Sequence, residues 1–288
     1  MNPNGATRVV MLGTGTPRPD PDRAGPATAI IVNDTPYLID FGTGVIRRAT
    51  AAYGKGVKAL GYGGVNIETV FLTHLHSDHT VGYPDLIFTP WTMGRHEPLV
   101  VYGPKGIKAM TEHVLKAWQI DIETRIDGVD PKNSTGCKAS AREIVPGVIY
   151  QDRNVTVTAF PAQHATVDSF GYRFDTLGRT IVISGDTSPT QALLDHSRGC
   201  DVLVHEVYSM ADFRRDSPQF QEFRRRYHTS SLELAEIANA VQPGVLVLYH
   251  RGNRAGGPVT PQMDDILLAE IRETYAGEVV AARDLDVF

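Results

Sequence analysis

Short apolar runs of three to six residues recur along this chain: Val9–Leu12, Thr28–Val32, Tyr37–Ile39, Thr69–Leu72, Leu99–Tyr102, Val155–Phe160, Thr180–Ile183, Val202–Val204 and Val245–Leu248. Several are continuously apolar, the pattern of strands covered on both faces. Helical spacing lies between many of them, at Ile107–Trp118 and Ile266–Tyr275, and Ser231–Ala240 is rich in Leu, Glu and Ala. Ser230 or Ser231 is placed to cap that last helix, with Glu233 in its first turn. Strands dominate the first half before helices appear, and a strand–strand–helix rhythm fills the second. This order predicts two sheets packed face to face with helices outside, in preference to one doubly wound sheet. A chain of 288 residues then makes one large domain, or two similar halves sharing a core.

The rest of the sequence bounds the problem. Hydrophobic residues make up 42% and charged residues 21%, which excludes a disordered chain. A formal charge of −5 leaves no general footprint for nucleic acid, and no apolar run is long enough to span a membrane. Cys137 and Cys200 have no metal-type spacing and are expected as unpaired thiols in a reducing cytoplasm. The first residues lack a signal-peptide pattern, so the expected location is cytoplasmic. Pro- and Gly-rich stretches are short, at Gly13 to Pro21, Gly61 to Gly64 and Gly252 to Pro261, and Asp121 to Lys138 reads as an exposed, turn-rich excursion. Trp91 and Met93 are expected to fill core, and His96, His113 and His196 to be structural.

The chemistry is concentrated in Thr73-His-Leu-His-Ser-Asp-His79, directly after a strand-like run. If the strand continued, His74 and His76, two apart, would share one side, with Asp78 and His79 in the following turn. Imidazole nitrogen and carboxylate oxygen together suit a borderline divalent ion such as zinc. Further donors close later runs: His164 after Val155–Phe160, Asp186 after Ile181-Val-Ile-Ser-Gly, and His250 after Val245–Tyr249. A polar residue ending a buried strand is placed to face a cleft at the sheet edge.

These residues resemble the metallo-β-lactamase fold, in particular its ribonuclease Z-like and arylsulfatase-like branch. The motifs are Leu12-Gly-Thr-Gly-Thr-Pro17, Leu38-Ile-Asp-Phe-Gly42, the run from 74 to 79, Ser184-Gly-Asp-Thr187 and His205-Glu-Val-Tyr208. The resemblance covers nearly the whole chain and implies a single α/β (α+β) domain over residues 1–288, a four-layer αββα sandwich. It also implies two metal ions per chain, zinc first, with manganese or iron as alternatives. His74, His76 and His164 would hold one ion, Asp78, His79 and His250 the other, and Asp186 would bridge them. Two such ions hold a hydroxide of lowered pKa, which Asp78 would steer. Glu206 would orient and charge His228, in Tyr227-His-Thr-Ser-Ser231, and His228 would protonate a departing alkoxide. Relatives of this kind often form homodimers.

Ribonuclease Z enzymes carry a long arm before the Gly-Asp strand; here Gly171 to Thr180 passes by a tight turn, and the usual Thr-His-x-Ser ending is Tyr249-His-Arg-Gly252. With the acidic balance, these departures make transfer RNA a disfavoured partner and a small-molecule ester the expected substrate. The expected activity is hydrolysis of a phosphodiester or related ester. Arylsulfatase, lactonase or β-lactamase chemistry on the same residues is the alternative, with a di-iron redox site or a non-catalytic, metal-stabilised binding module behind it. The arginine-rich segment Phe213 to Tyr227 reads as a solvated helix with Phe213, Phe220 and Phe223 inward and its arginines paired to Asp212, Asp216 and Glu222, in preference to a receiver for an anionic or aromatic substrate.

Overall fold

The computed structural model describes residues 7–251 and 259–288. Most of the Gly252 to Pro261 stretch, and the first six residues of the N-terminal reading, lie outside the described residues. The chain divides into two compact units. Among the described residues, one comprises Ala24–Ile144 with the strand through Gly13 and Asp284–Phe288; the other is Val145–Arg283 with Thr14–Arg23. Among the described residues no helix is long and apolar enough to cross a membrane.

In the first unit, strands β1 (Arg8–Gly13), β2 (Ala27–Val32), β3 (Thr35–Ile39), β4 (Thr69–Phe71), β5 (Leu99–Gly103) and β6 (Ala139–Glu143) form one sheet in that order. The pairs β1–β2 and β2–β3 are antiparallel, and from β3 to β6 the strands are parallel. β2 is buried at all of its residues, as its uninterrupted apolar sequence requires. Helices α1 (Val45–Gly54), α2 (Ser77–Thr80), α3 (Tyr83–Thr92), α4 (Ile107–Ala117) and α5 (Gln119–Ile126) belong to the same unit. Val45, Ile46 and Ala49 of α1 and Leu86, Ile87 and Trp91 of α3 join one core with Leu38, Val70 and Leu72.

The second unit carries β7 (Gly147–Gln151), β8 (Val155–Pro161), β9 (Phe170–Thr176), β10 (Thr180–Ile183), β11 (Val202–Val207), β12 (Val245–Arg251) and β13 (Val279–Ala281) as a second sheet, ordered β13-β12-β11-β10-β9-β8-β7. β7 to β10 are antiparallel neighbours and β10 to β13 parallel ones. Its helices are α6 (Gln191–Ser197), α7 (Met210–Phe213), α8 (Pro218–Tyr227), α9 (Ser231–Val241) and α10 (Pro261–Arg272). Ser230 caps α9 in a reciprocal box with Glu233, which satisfies two otherwise orphaned donors. The parallel strands β10, β11 and β12 end at one edge. β8, two antiparallel steps from β10, runs the same way and ends there too.

Each of the nine apolar runs is a strand, and three differences from the sequence reading have physical causes. Residues 121–126 belong to a helix, α5, held by an Arg125–Asp121 pair at 2.9 Å and a Gln119–Glu123 bond of 2.7 Å. It buries no residue, so apolar periodicity could not reveal it. β6 and β7 escaped for the same reason, being mostly exposed. Met93 is 47% exposed while Trp91 is fully buried, so only the tryptophan fills core. Cys137 and Cys200 are buried free thiols, and burial pushes Cys200 up to about 12.

One buried cation holds the first unit's α3 against a local defect. Pro90 lies inside α3 and has no N–H to offer the carbonyl of Leu86. Arg95 supplies it, donating to Leu86 O at 3.1 Å, Ile87 O at 2.7 Å and Gly136 O at 2.9 Å. Burial pulls its pKa down to about 10, against the raising effect of Glu68. Arg95→Met is therefore expected to lower stability by about 2–4 kcal/mol, read as a reduced urea midpoint with unchanged slope.

Candidate metal centre

In the first unit, the loop after β4 carries the histidines. β4 stops at Phe71, so strand alternation does not align His74 with His76. A turn into α2 does instead, and their ring centroids are 4.6 Å apart. His74 and His79 are fully buried, with centroids 4.2 Å apart, and Asp78 Oδ2 lies 3.5 Å from His79 Nε2.

Behind them sits Asp40, the residue closing β3, whose ordering role the sequence reading missed. Its Oδ2 accepts from His79 Nδ1 at 2.8 Å, and its Oδ1 accepts the Thr73 amide at 2.8 Å. The Thr73 hydroxyl donates to the same carboxylate at 2.9 Å and lies 3.0 Å from His74 Nδ1, from which it accepts. One buried carboxylate thus fixes both ring tautomers, placing the ligand lone pairs on Nε2. Gly42 permits the tight loop: a Cβ there would come within 2.5 Å of the Asp78 carbonyl oxygen. The sequence signals for Asp40 are its place in the Leu38-Ile-Asp-Phe-Gly42 motif and, as for Asp186, its position after an apolar strand.

In the second unit, the carboxyl ends of β8, β10, β11 and β12 deliver His164, Asp186, Glu206 and His250, with His228 following α8. Ligand atoms of His164, Asp186 and His228 lie within 4.8 Å of one another, as do those of Glu206, His228 and His250. His250 Nδ1 is 3.5 Å from Asp186 Oδ1. His164 donates through Nδ1 to the Tyr227 carbonyl at 2.8 Å, and burial draws its pKa down, the state a metal ligand needs. These donors are nitrogen and oxygen throughout, without thiolate, a set that fits zinc, manganese or iron.

Glu206 is buried, and its Oε1 accepts from the amides of Thr187 and Thr229, each at 3.2 Å, and from His228 Nδ1 at 3.1 Å. Burial alone would depress His228; the Glu206 charge and hydrogen bond, with Asp186 beyond, overcome it and raise the pKa to about 8. The neighbouring His205 stays neutral, pulled down to about 4 by complete burial. His196 stacks on Phe160 at 4.8 Å, a structural role. His96 and His113 take no part in a metal-type cluster among the described residues.

α8 departs from the sequence expectation. Phe213 is buried, but Phe223 is 40% exposed, and the residue that turns inward is Arg224, paired to Asp216 at 2.7 Å. Arg226 pairs with Glu222 at 2.7 Å on the surface. Phe220 is only half-buried, so of the three phenylalanines Phe213 alone is inward, and the Asp216 carboxylate makes the buried Arg224 cation tolerable.

Residues 35–251 match the Beta-lactamase superfamily domain. The chain is 32% identical over 281 residues to a protein named Ribonuclease Z from Mycobacterium bovis, covering 96% of each chain. Its fold is similar to that of the metallo-β-lactamase fold protein YhfI from Bacillus subtilis, with TM-score 0.72, 20% identity and 98% and 99% of the two chains covered. It is also similar to the short form of human tRNase Z, with TM-score 0.69, 22% identity and 98% and 99% covered. The chain belongs to the metallo-β-lactamase superfamily, as a ribonuclease Z-like metallohydrolase. The two sheets and ten α-helices among the described residues are that fold, and its activity is metal-dependent hydrolysis.

If Glu206 is what charges His228, then in metal-free protein the His228 ring titrates near 8. Glu206→Gln should bring it to or below the ordinary histidine value, because burial then acts against a weaker opposing field. Ring-resonance NMR across pH 5 to 9 reads this directly; an unmoved titration would remove Glu206 from the role.

Proposed function

We propose that this chain is a phosphodiester hydrolase working with two zinc ions. His74, His76 and His164 would hold one ion, Asp78, His79 and His250 the other, and Asp186 both. Bound there, the ions would supply an acidified water and positive charge for the attacked ester. The chain's own residues do the rest. Asp40 and Thr73 keep His74 and His79 in the ligating tautomer. Asp78 orients the nucleophile. His228 donates Nδ1–H to Glu206, so its second proton sits on Nε2, where it can pass to a departing alkoxide.

The observation that carries this reading is the Glu206–His228 couple, a buried carboxylate 3.1 Å from an imidazole, whose charge favours the protonated ring. A proton donor placed beside metal-type ligands suits a poor, alkoxide leaving group. Sulfate esters with aryl leaving groups and activated lactones have less need of it. Relatives named Ribonuclease Z support a phosphodiester and weigh against setting RNA aside, as the sequence reading did. On the other side, β9 and β10 are joined across residues 177–179 only, with no arm at that point. The substrate favoured by both is a small or terminal nucleoside phosphodiester.

The test is hydrolysis of bis(p-nitrophenyl) phosphate by zinc-reconstituted protein with a chelated control, beside aryl sulfate, lactone and β-lactam substrates. Chelator-sensitive turnover of the phosphodiester is expected. Asp186→Ala should lose metal and activity together. His228→Ala should retain two metals and lose about 10²–10⁴-fold in kcat, with the smallest loss on the best leaving groups. Full activity in the His228 variant would remove the proton-donor role, and turnover confined to sulfate or acyl esters would overturn the phosphodiester reading.

A further inference from the structure

The Glu206–His228 couple joins residues 22 apart in the chain, so its geometry depends on what holds two stretches of backbone together. One stretch continues from Glu206 through the end of β11 at Val207 to Ala211. The other runs from His228 to Ser231, where α9 begins. They meet in an isolated parallel bridge between Tyr208 and Ser230. The Tyr208 amide donates to the Thr229 carbonyl at 3.0 Å, and the Ser231 amide to the Tyr208 carbonyl at 2.9 Å. So short a pairing is marginal on its own.

Glu270, on α10, ties the two stretches together. Its Oε1 accepts from the Ala211 amide at 2.7 Å and the Ser209 hydroxyl at 3.0 Å. Its Oε2 accepts from the Met210 amide at 3.0 Å and the Ser231 hydroxyl at 2.6 Å. One half-buried carboxylate thus receives three donors from the stretch that follows Glu206 and one from the stretch that follows His228, all of them charge-assisted. Neither helix needs Glu270 as its cap, because Ser209 caps α7 and Ser230 caps α9. What the carboxylate adds is the link between them. It is held on a fixed element: Leu267 and Ile271 seat α10 in the core of this unit, and Asp264 pairs with the buried Arg251 at 3.0 Å.

We infer that Glu270 is a positioning residue that sets His228 against Glu206 by clamping the stretch after each of them to α10. It touches neither ring nor substrate and acts through the Tyr208–Ala211 and His228–Ser231 backbone. The inference deepens the phosphodiesterase reading and rests on it for the task of His228; the clamp itself can be tested without turnover.

The experiment compares wild type and Glu270→Ala, as zinc-loaded full chains, on two diesters that differ only in leaving group, methyl p-nitrophenyl phosphate and methyl phenyl phosphate. A misplaced proton donor matters most where the leaving group is poor. Glu270→Ala should keep its zinc and its KM, lose about 10–10²-fold in kcat on the phenyl ester, and lose several-fold less on the nitrophenyl ester. Glu270→Gln keeps the size and one acceptor oxygen but turns an NH₂ group toward one of the two amides. It should show the same split at smaller amplitude, and it serves if the alanine variant does not fold. In a His228→Ala background, Glu270→Ala should cost less than about twofold further. Equal losses on both esters, no loss, or full additivity with His228→Ala would overturn the inference. Hydrogen exchange tests the clamp without turnover: amides of residues 208–211 and 228–231 should lose protection together in Glu270→Ala, and loss confined to the first stretch, or none, would overturn it. If wild type cleaves neither diester but both stretches loosen together, the clamp stands and the phosphodiesterase reading falls.

Discussion

The Asp40 carboxylate organises the histidine loop. It is buried, receives an imidazole, an amide and a hydroxyl, and through them decides which nitrogen of His79 and His74 carries a lone pair. A buried carboxylate costs several kcal/mol unless such donors surround it, and the loop from Thr73 to His79 supplies them. The same bonds set the tautomers of both rings, leaving them in the form in which an imidazole can bind a metal through Nε2.

The sheet topology repeats that logic in the other unit. Parallel strands β10, β11 and β12 bring Asp186, Glu206 and His250 to one edge because parallel neighbours end on the same side, where α/β folds present their ligands. β8 joins them by two antiparallel steps. Nothing comparable is available to the mostly exposed β6 and β7, which complete sheets without carrying donors. A residue's closeness to chemistry here follows from the strand it terminates.

This is also why the sequence was legible where it was. A buried parallel strand is a continuous apolar run, so the polar residues that close β10 and β12, Asp186 and His250, stand out in one chain without an alignment, whereas His164 follows the antiparallel, alternating β8. α5 was not legible because its stability is in side-chain pairs at its surface, which leave no apolar stripe. Asp40 stood at a strand end in plain view. Its meaning lay in a partner 39 residues away, and spacing does not encode a through-space bond. For α8 the expectation failed on a single exchange: composition favours a buried Phe223 over a buried Arg224, and only the position of Asp216 reverses that.

Backbone strain falls where these strands must stop. Asp40, Ala165 and His250 have φ of 60°, 48° and 46°, in the left-handed region that costs a non-glycine residue roughly 1–2 kcal/mol. Asp40 holds the histidine loop, His250 lies 3.5 Å from Asp186, and Ala165 directly follows His164. β3 stops before Asp40, whereas β12 runs on to Arg251, and the left-handed step at His250 coincides with a register shift in its pairing with β11, between Glu206–Tyr249 and Val207–Arg251. Holding it requires restraint from the next residue, and Arg251 supplies that restraint for His250. It is buried, donates to the Leu248 and Ala282 carbonyls at 2.6 and 2.9 Å, and pairs with Asp264 at 3.0 Å. Arg251 fills the free third position of the Thr-His-x-Ser ending, and there a buried ion pair clamps the backbone immediately after His250, so the strained histidine keeps one orientation.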